Sequence, residues 1–257
     1  MLMKRIFLLA VMACSMALPT LAQPKIVAHR GYWRSEGSAQ NSLTSLIRAD
    51  QIGCYGSELD VWITTDGVPV VFHDAVVQGI RIEDAAYKDL QLIQLNNGEF
   101  IPTLQQYLQL GKMLPELQLI LEIKPHSNTE RDDKVTELVV KLVKQLKLEK
   151  QVEYISFSRR ACQRLHELVP ESKNAYLTGD LSPKEAQQQL GCNGVDYNEG
   201  VFQKHPEWLK EAAQNGMEVN VWTVDGEENL RKHVNTPGID IITTNDPELL
   251  KNIILKK

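Results

Sequence analysis

Cysteine is scarce in this chain, and its copies stand far apart. Cys14, Cys54, Cys162 and Cys192 are the four among 257 residues. None forms a Cys-x-x-Cys pair, which argues against a thiolate zinc site and against a disulfide scaffold. Positive charge is not in excess. With 28 Lys and Arg against 33 Asp and Glu, the net charge is −5, which lacks the electrostatic footprint of a nucleic-acid binder. There is no basic amphipathic helix to suggest a membrane surface, and no low-complexity linker. The first strand-like run ends on His29-Arg30-Gly31-Tyr32-Trp33, not on the glycine-rich loop expected of a dinucleotide-binding open sheet. What remains is ordinary globular composition, 43% hydrophobic and 24% charged, enough for one large domain or two small ones.

The first 22 residues differ from the rest. Lys4-Arg5 precedes an apolar stretch at 6–18, and Thr20-Leu21-Ala22 offers small residues for cleavage. Residues 1–22 read as a secretory signal peptide, too short and wrongly flanked for a stable membrane span. Val11-Met12-Ala13-Cys14 weakly resembles a lipoprotein cleavage box, which makes lipid anchoring through Cys14 the alternative. Residues 23–257 are then the mature chain, expected to be one domain in the periplasm or secreted. Its net charge is −7, the −5 of the whole chain less Lys4 and Arg5, and it carries no membrane span. Three cysteines remain. The odd number leaves at least one thiol unpaired in a monomer, and Cys162–Cys192 is the candidate bridge.

The chain is organised around residues 56–74. Glu58 and Asp60 stand two apart in a strand-like run, so both carboxylates point to one face. Asp66-Gly67 marks a turn that needs positive φ, and the returning run from Val68 to Phe72 ends on His73-Asp74. A hairpin therefore carries His73 back towards the two acids. Two acids on one face repel each other, and a hard cation such as Mg²⁺ or Ca²⁺ relieves that.

Strand-like and helix-like runs alternate along the remainder. Strands are expected to begin at Lys25, Gly56, Leu119, Val152, Ala175, Gly194, Met217 and Ile239. Helices are expected over 42–52, 103–110, 133–146, 159–168, 183–190, 206–215, 227–234 and 247–255. Eight strand–helix units predict an α/β fold, a (β/α)₈ TIM barrel with a hairpin insertion after the second strand. A doubly wound open sheet is the alternative.

The polar residues cluster at strand C-terminal ends, where barrel enzymes place their sites. His29 and Arg30 follow the first strand, Glu58 and Asp60 lie on the second, His73 returns beside it, and Glu122 and Lys124 end the third. Three carboxylates suit one divalent cation, two histidines suit acid–base work near neutral pH, and two cations suit an anionic group. Together they fit a phosphodiester better than a neutral glycoside.

These residues resemble the glycerophosphodiester phosphodiesterase family. The resemblance rests on His29-Arg30-Gly31, Glu58-Leu59-Asp60, Asp66-Gly67 with Val70 and His73-Asp74, and Glu122-Ile123-Lys124. It continues through Asn220-Val221-Trp222-Thr223-Val224 and Ile241-Ile242-Thr243-Thr244-Asn245-Asp246-Pro247. It implies a TIM barrel that hydrolyses small-molecule glycerophosphodiesters to glycerol 3-phosphate and an alcohol, with one divalent cation, Mg²⁺ or Ca²⁺. Carried over by position, Glu58, Asp60 and Glu122 are the metal ligands, and His29 and His73 the acid–base pair. Arg30 and Lys124 hold the phosphate, and Trp222 lines the pocket. One departure stands out: the family usually has Pro-Glu-Asn-Thr where this chain has Ala39-Gln40-Asn41-Ser42, so Gln40 keeps a hydrogen bond but loses a charge.

Two other readings are carried. One is a related barrel phospholipase acting on lysophospholipids or phosphoinositides, for which Tyr32-Trp33 would supply an aromatic wall. The other is a non-catalytic phosphodiester-binding protein, supported only by Gln40. His126, His166, His205 and His233 are expected at the surface, Trp62 and Trp208 in packing, and Phe157 and Tyr176 near substrate.

Overall fold

The computed structural model describes residues 23–256; the expected signal peptide over residues 1–22, with Cys14, lies outside them. Strand β1 (Lys25–Ala28) leads to helix α1 (Leu43–Gln51) and strand β2 (Gly56–Ile63). The chain reverses at Asp66-Gly67 into β3 (Pro69–Val71), which pairs antiparallel with the end of β2 through Val61↔Val71 and Ile63↔Pro69. A small hairpin, β4 (Val76–Val77) with β5 (Ile80–Arg81), a short α2 (Tyr87–Leu90) and α3 (Leu104–Gly111) follow. Regular alternation then runs through β6 (Gln118–Ile123), α4 (Thr129–Leu146), β7 (Val152–Ser156), α5 (Arg159–Leu168), β8 (Asn174–Tyr176) and α6 (Pro183–Leu190). It ends with β9 (Gly194–Asn198), α7 (Glu199–Lys204), α8 (Glu207–Gln214), β10 (Glu218–Trp222), α9 (Glu227–Val234), β11 (Ile241–Thr244) and α10 (Pro247–Leu255).

Eight parallel strands are ordered β1-β11-β10-β9-β8-β7-β6-β2, and β2 returns to β1 through Val27↔Gly56 and Ala28↔Ser57. The sheet is therefore a closed (β/α)₈ barrel, which removes the open-sheet alternative. Local chemistry sets the helices that surround it. Ser42 caps α1 by accepting from the Ser45 amide. Thr103 with Gln106, and Ser182 with Glu185, form reciprocal capping boxes on α3 and α6. Helix α4 starts at Thr129, earlier than its apolar stripe predicts, because Asn128 caps it and Asp132 turns inward to accept from Ser158 Oγ and the His126 amide. Helix α7 was not expected; its buried Phe202 and the Asn198 cap hold a single short segment.

Strand alternation divides the side chains. Leu59, Val61, Leu121 and Ile123 face the helical shell, where Leu46, Leu104, Leu108, Val135 and Val139 meet them. Glu58, Asp60 and Glu122, on the opposite parity, face the barrel axis. This parity sends the acids to the mouth and seals the apolar shell behind them. No helix among the described residues is long and apolar enough to cross a membrane. Cys54, Cys162 and Cys192 are buried free thiols.

Candidate active site

All the strand-end residues singled out in the sequence meet at the C-terminal end of the barrel. His29, Arg30, Glu58, His73, Glu122, Lys124 and Trp222 line a cavity of about 200 Å³, and Asp60 lies beneath Arg30 and Lys124. Register explains the meeting: Asp60 pairs with Glu122 across β2 and β6, and β3 returns His73 beside them.

One carboxylate oxygen from each of Glu58, Asp60 and Glu122 lies within 4.8 Å of the others, and all three residues are buried. Asp60 is the best satisfied. Asn41 Nδ2 donates to its Oδ2 at 2.7 Å, and Lys124 Nζ sits 2.9 Å from Oδ1. Burial alone would raise its pKa, but Lys124, His73 and the Asn41 amide hold it below the usual carboxylate range. Glu58 is the opposite case. Burial, then Asp60 and Glu122, raise it well above that range. Its Oε2 accepts from the Arg30 amide at 2.7 Å, while its Oε1 is buried with no partner. Glu122 is pushed up to about 7 by burial and by Asp60, although Lys124 Nζ stands 2.8 Å away. Lys124 is held protonated against its own burial by Asp60 and Glu122. Three converging hard oxygens, one without a partner, suit a divalent cation of the Mg²⁺ or Ca²⁺ kind.

Arg30 sits at φ 58, and Gly31 follows at φ 75, where a Cβ would lie 2.2 Å from Ser45 Oγ. This left-handed pair turns the chain sharply after β1 and aims the Arg30 side chain at the acids. Its Nη1 donates to Gln40 Oε1 at 2.8 Å, and its Nε is buried without a hydrogen-bond partner. Gln40 thus keeps a hydrogen bond to Arg30 without a charge of its own.

The two histidines are fixed differently. Asn245 Nδ2 donates to Asp225 Oδ2 at 2.7 Å, so its Oδ1 is the acceptor for His29 Nδ1–H and for Trp33 Nε1–H, each at 2.9 Å. The His29 Nε2 lone pair is then free for the cavity. Burial first, and Arg30 second, lower the His29 pKa to about 4. His73, on the more open side, donates from Nδ1 to Asp74 Oδ1 at 2.7 Å. Burial lowers its pKa, with Asp60 opposing.

Trp222 and Phe157 form the apolar wall, edge to face at 5.6 Å. Trp33 and Tyr32 are tied to Asn245 and Glu248 and do not line the cavity. Three expectations are corrected. Tyr176 has the wrong strand parity for substrate contact: Ala175 and Leu177 face the axis, while Tyr176 is buried in the outer shell with its hydroxyl on Asp180. The His126 side chain is fully buried and accepts from the Ile63 amide through Nε2, which ties the loop after Lys124 to the end of β2. His233 is buried as well, held by the Asn229 carbonyl. Trp62 is a packing residue, as its surroundings in the β3 cluster show. Asn41, Asn245 and Asp196 were not singled out for roles from sequence. Asn41 and Asn245 lie in stretches that carry or border the family resemblance, whereas Asp196 offers no signal beyond one acid in a short apolar strand.

Known proteins supply an independent comparison. The model of the glycerophosphoryl diester phosphodiesterase family matches residues 29–249. A glycerophosphodiester phosphodiesterase from Caldanaerobacter subterraneus is 27% identical over 245 residues, 90% of this chain and 98% of the relative. The crystal structure of a glycerophosphodiester phosphodiesterase from Parabacteroides distasonis is 46% identical, with a TM-score of 0.89 over 91% of this chain and 98% of that one. An Oleispira antarctica phosphodiesterase, solved in complex with the product sn-glycerol-3-phosphate, is 26% identical, with a TM-score of 0.79 over 90% and 97% of the two chains.

Proposed function

The chain belongs to the glycerophosphoryl diester phosphodiesterase family and is a phosphodiesterase, and we propose that it cleaves glycerophosphodiesters to glycerol 3-phosphate and an alcohol using one divalent cation and two histidines. The observation that carries this reading is the single cavity lined by Glu58, Glu122, two cations and two histidines, with Asp60 completing the acid triad beneath it. Binding alone does not need both histidines.

Glu58, Asp60 and Glu122 would hold Mg²⁺ or Ca²⁺, which supplies Lewis-acid polarisation of a phosphoryl oxygen when bound. Arg30 and Lys124 hold the phosphate oxygens; the unpaired Arg30 Nε is free to donate to one. Neutral His29, with Nδ1–H committed to Asn245, accepts the proton of the attacking oxygen at Nε2. His73, oriented by its hydrogen bond to Asp74, delivers a proton to the departing alcohol oxygen; the burial that lowers its pKa makes its imidazolium the stronger acid. Trp222 and Phe157 cover the apolar side and exclude water there.

The N-terminal leader supports a periplasmic or secreted location, which N-terminal sequencing of exported protein tests; cleavage before Gln23 is expected. The metal assignment is tested by calorimetric titration of Mg²⁺ and Ca²⁺ into the wild type and Glu58→Gln. One site per chain, weakened at least about tenfold in the variant, is expected. Equal affinity in both proteins would refute the assignment.

A further inference from the structure

Three buried polar atoms around the cavity have neither a hydrogen-bond partner nor a close ion pair: Arg30 Nε, Glu58 Oε1 and Asp196 Oδ1. The first two belong to the phosphate and cation side. Asp196 does not. It rises from β9 and lies level with Asn220 of β10, one pleat below the pair Asn198 and Trp222. It is 2% exposed and lines the cavity. Thr243, the neighbouring polar group on the floor, is already committed, since its hydroxyl and the Asn220 amide bond each other at 2.9 and 3.1 Å. The Trp222 indole donates to the Asp196 main-chain carbonyl at 2.8 Å, which fixes the strand; the Asn220 amide faces the Asp196 carboxyl, and Oδ1 is left without a hydrogen bond. A buried acceptor without a partner is costly unless a ligand or a water supplies one.

We propose that Asp196 is the specificity-determining residue that hydrogen-bonds a hydroxyl of the substrate's glycerol. The inference rests on the phosphodiesterase reading above. Every glycerophosphodiester shares the glycerol and differs in the alcohol. The deep end of the cavity beneath Trp222 suits the constant polyol, and the open side by His73 suits the variable group. The phosphate then lies between Arg30 and Lys124, and the glycerol points down the barrel axis towards Asp196. An apolar floor would not tell glycerol 3-phosphate from propyl phosphate, which has the same length and no hydroxyl. A floor with an unmet hydrogen-bonding group rejects the deoxy compound.

The test measures calorimetric binding of glycerol 3-phosphate and of propyl phosphate to the wild type, Asp196→Leu and Asp196→Asn. The wild type is expected to prefer glycerol 3-phosphate by about tenfold or more. Asp196→Leu should bring the ratio close to unity, and Asp196→Asn should keep part of it. Should Asp196→Leu fail to fold by circular dichroism, Asp196→Ala carries the same expectation. A ratio unchanged by these substitutions would overturn the proposal and leave Oδ1 to a buried water, and a wild type with no preference would overturn it too. Binding is read without turnover. A chain that shows the Asp196-dependent preference yet cleaves no glycerophosphodiester would therefore sink the hydrolase reading alone.

Discussion

Replacing Lys124 with Met isolates the lysine's role in holding the unliganded site together from its proposed role in holding phosphate. The ammonium lies 2.9 Å from Asp60 and 2.8 Å from Glu122, in a site where these three residues and Glu58 are all buried. At an effective dielectric of about 20, each contact is an attraction of about 6 kcal/mol, most of it offset by the desolvation of the charges. Removing one partner of such a cluster typically costs about 3–5 kcal/mol, because the others stay buried and unpaired. Glu58 and Glu122 relieve part of this by taking up protons, so a loss of about 3 kcal/mol is expected, or about 6–12 °C in Tm for a chain of this size. A divalent cation at about 100 times its Kd restores about 2.7 kcal/mol. The assay is thermal unfolding at pH 7.5 of the wild type and Lys124→Met, in chelator and in excess Mg²⁺ or Ca²⁺. The variant should be less stable in chelator and gain more from metal than the wild type does. A variant as stable as the wild type in chelator, with the same gain from metal, would refute the electrostatic account of the site.

Further outcomes follow from the same geometry. Because Glu122 titrates near 7 when folded and near 4.5 in its ordinary state, the folded chain binds the extra proton between those values. Stability of the metal-free protein should therefore fall as pH rises through that window, and metal should flatten the dependence; urea denaturation at several pH values with and without chelator checks the sign. Gly31→Ala would place a methyl 2.2 Å from Ser45 Oγ at φ 75, and a loss of about 2–4 kcal/mol is expected in equilibrium denaturation. Gln40→Glu exchanges a neutral acceptor for a charged one on Arg30 Nη1; steady-state kinetics should show turnover retained within about tenfold, since the contact already exists.

The barrel was legible because each strand is a short apolar run closed by a polar cluster, and each main helix carries a cap or an apolar stripe. Ser42, Thr103 and Ser182 mark three helix starts that the structure reproduces within a residue. The candidate site was legible for the same reason: its residues sit at strand ends with period-two spacing, as Glu58 and Asp60 or Glu122 and Lys124 do. What sequence hid depends on parity and on partners from far away. Tyr176 follows the barrel pattern but points outward by one residue. His126 looks like a loop histidine, yet its imidazole accepts from Ile63, 63 residues earlier. Asp196 shares no motif with the triad: pairing of β9 with β10 sets it beneath Trp222, and only closure of the sheet brings both to the cavity of the triad.

The central claim is metal-dependent cleavage of a glycerophosphodiester through His29 and the acid triad. The most direct measurement is hydrolysis of glycerophosphocholine and glycerophosphoethanolamine, coupled to detection of glycerol 3-phosphate, in Mg²⁺, in Ca²⁺ and in chelator, beside His29→Ala. The account predicts product with metal, none in chelator, and a loss of about 10²-fold or more in His29→Ala that still folds and binds metal. Undiminished product in chelator, or full activity in His29→Ala, would contradict it.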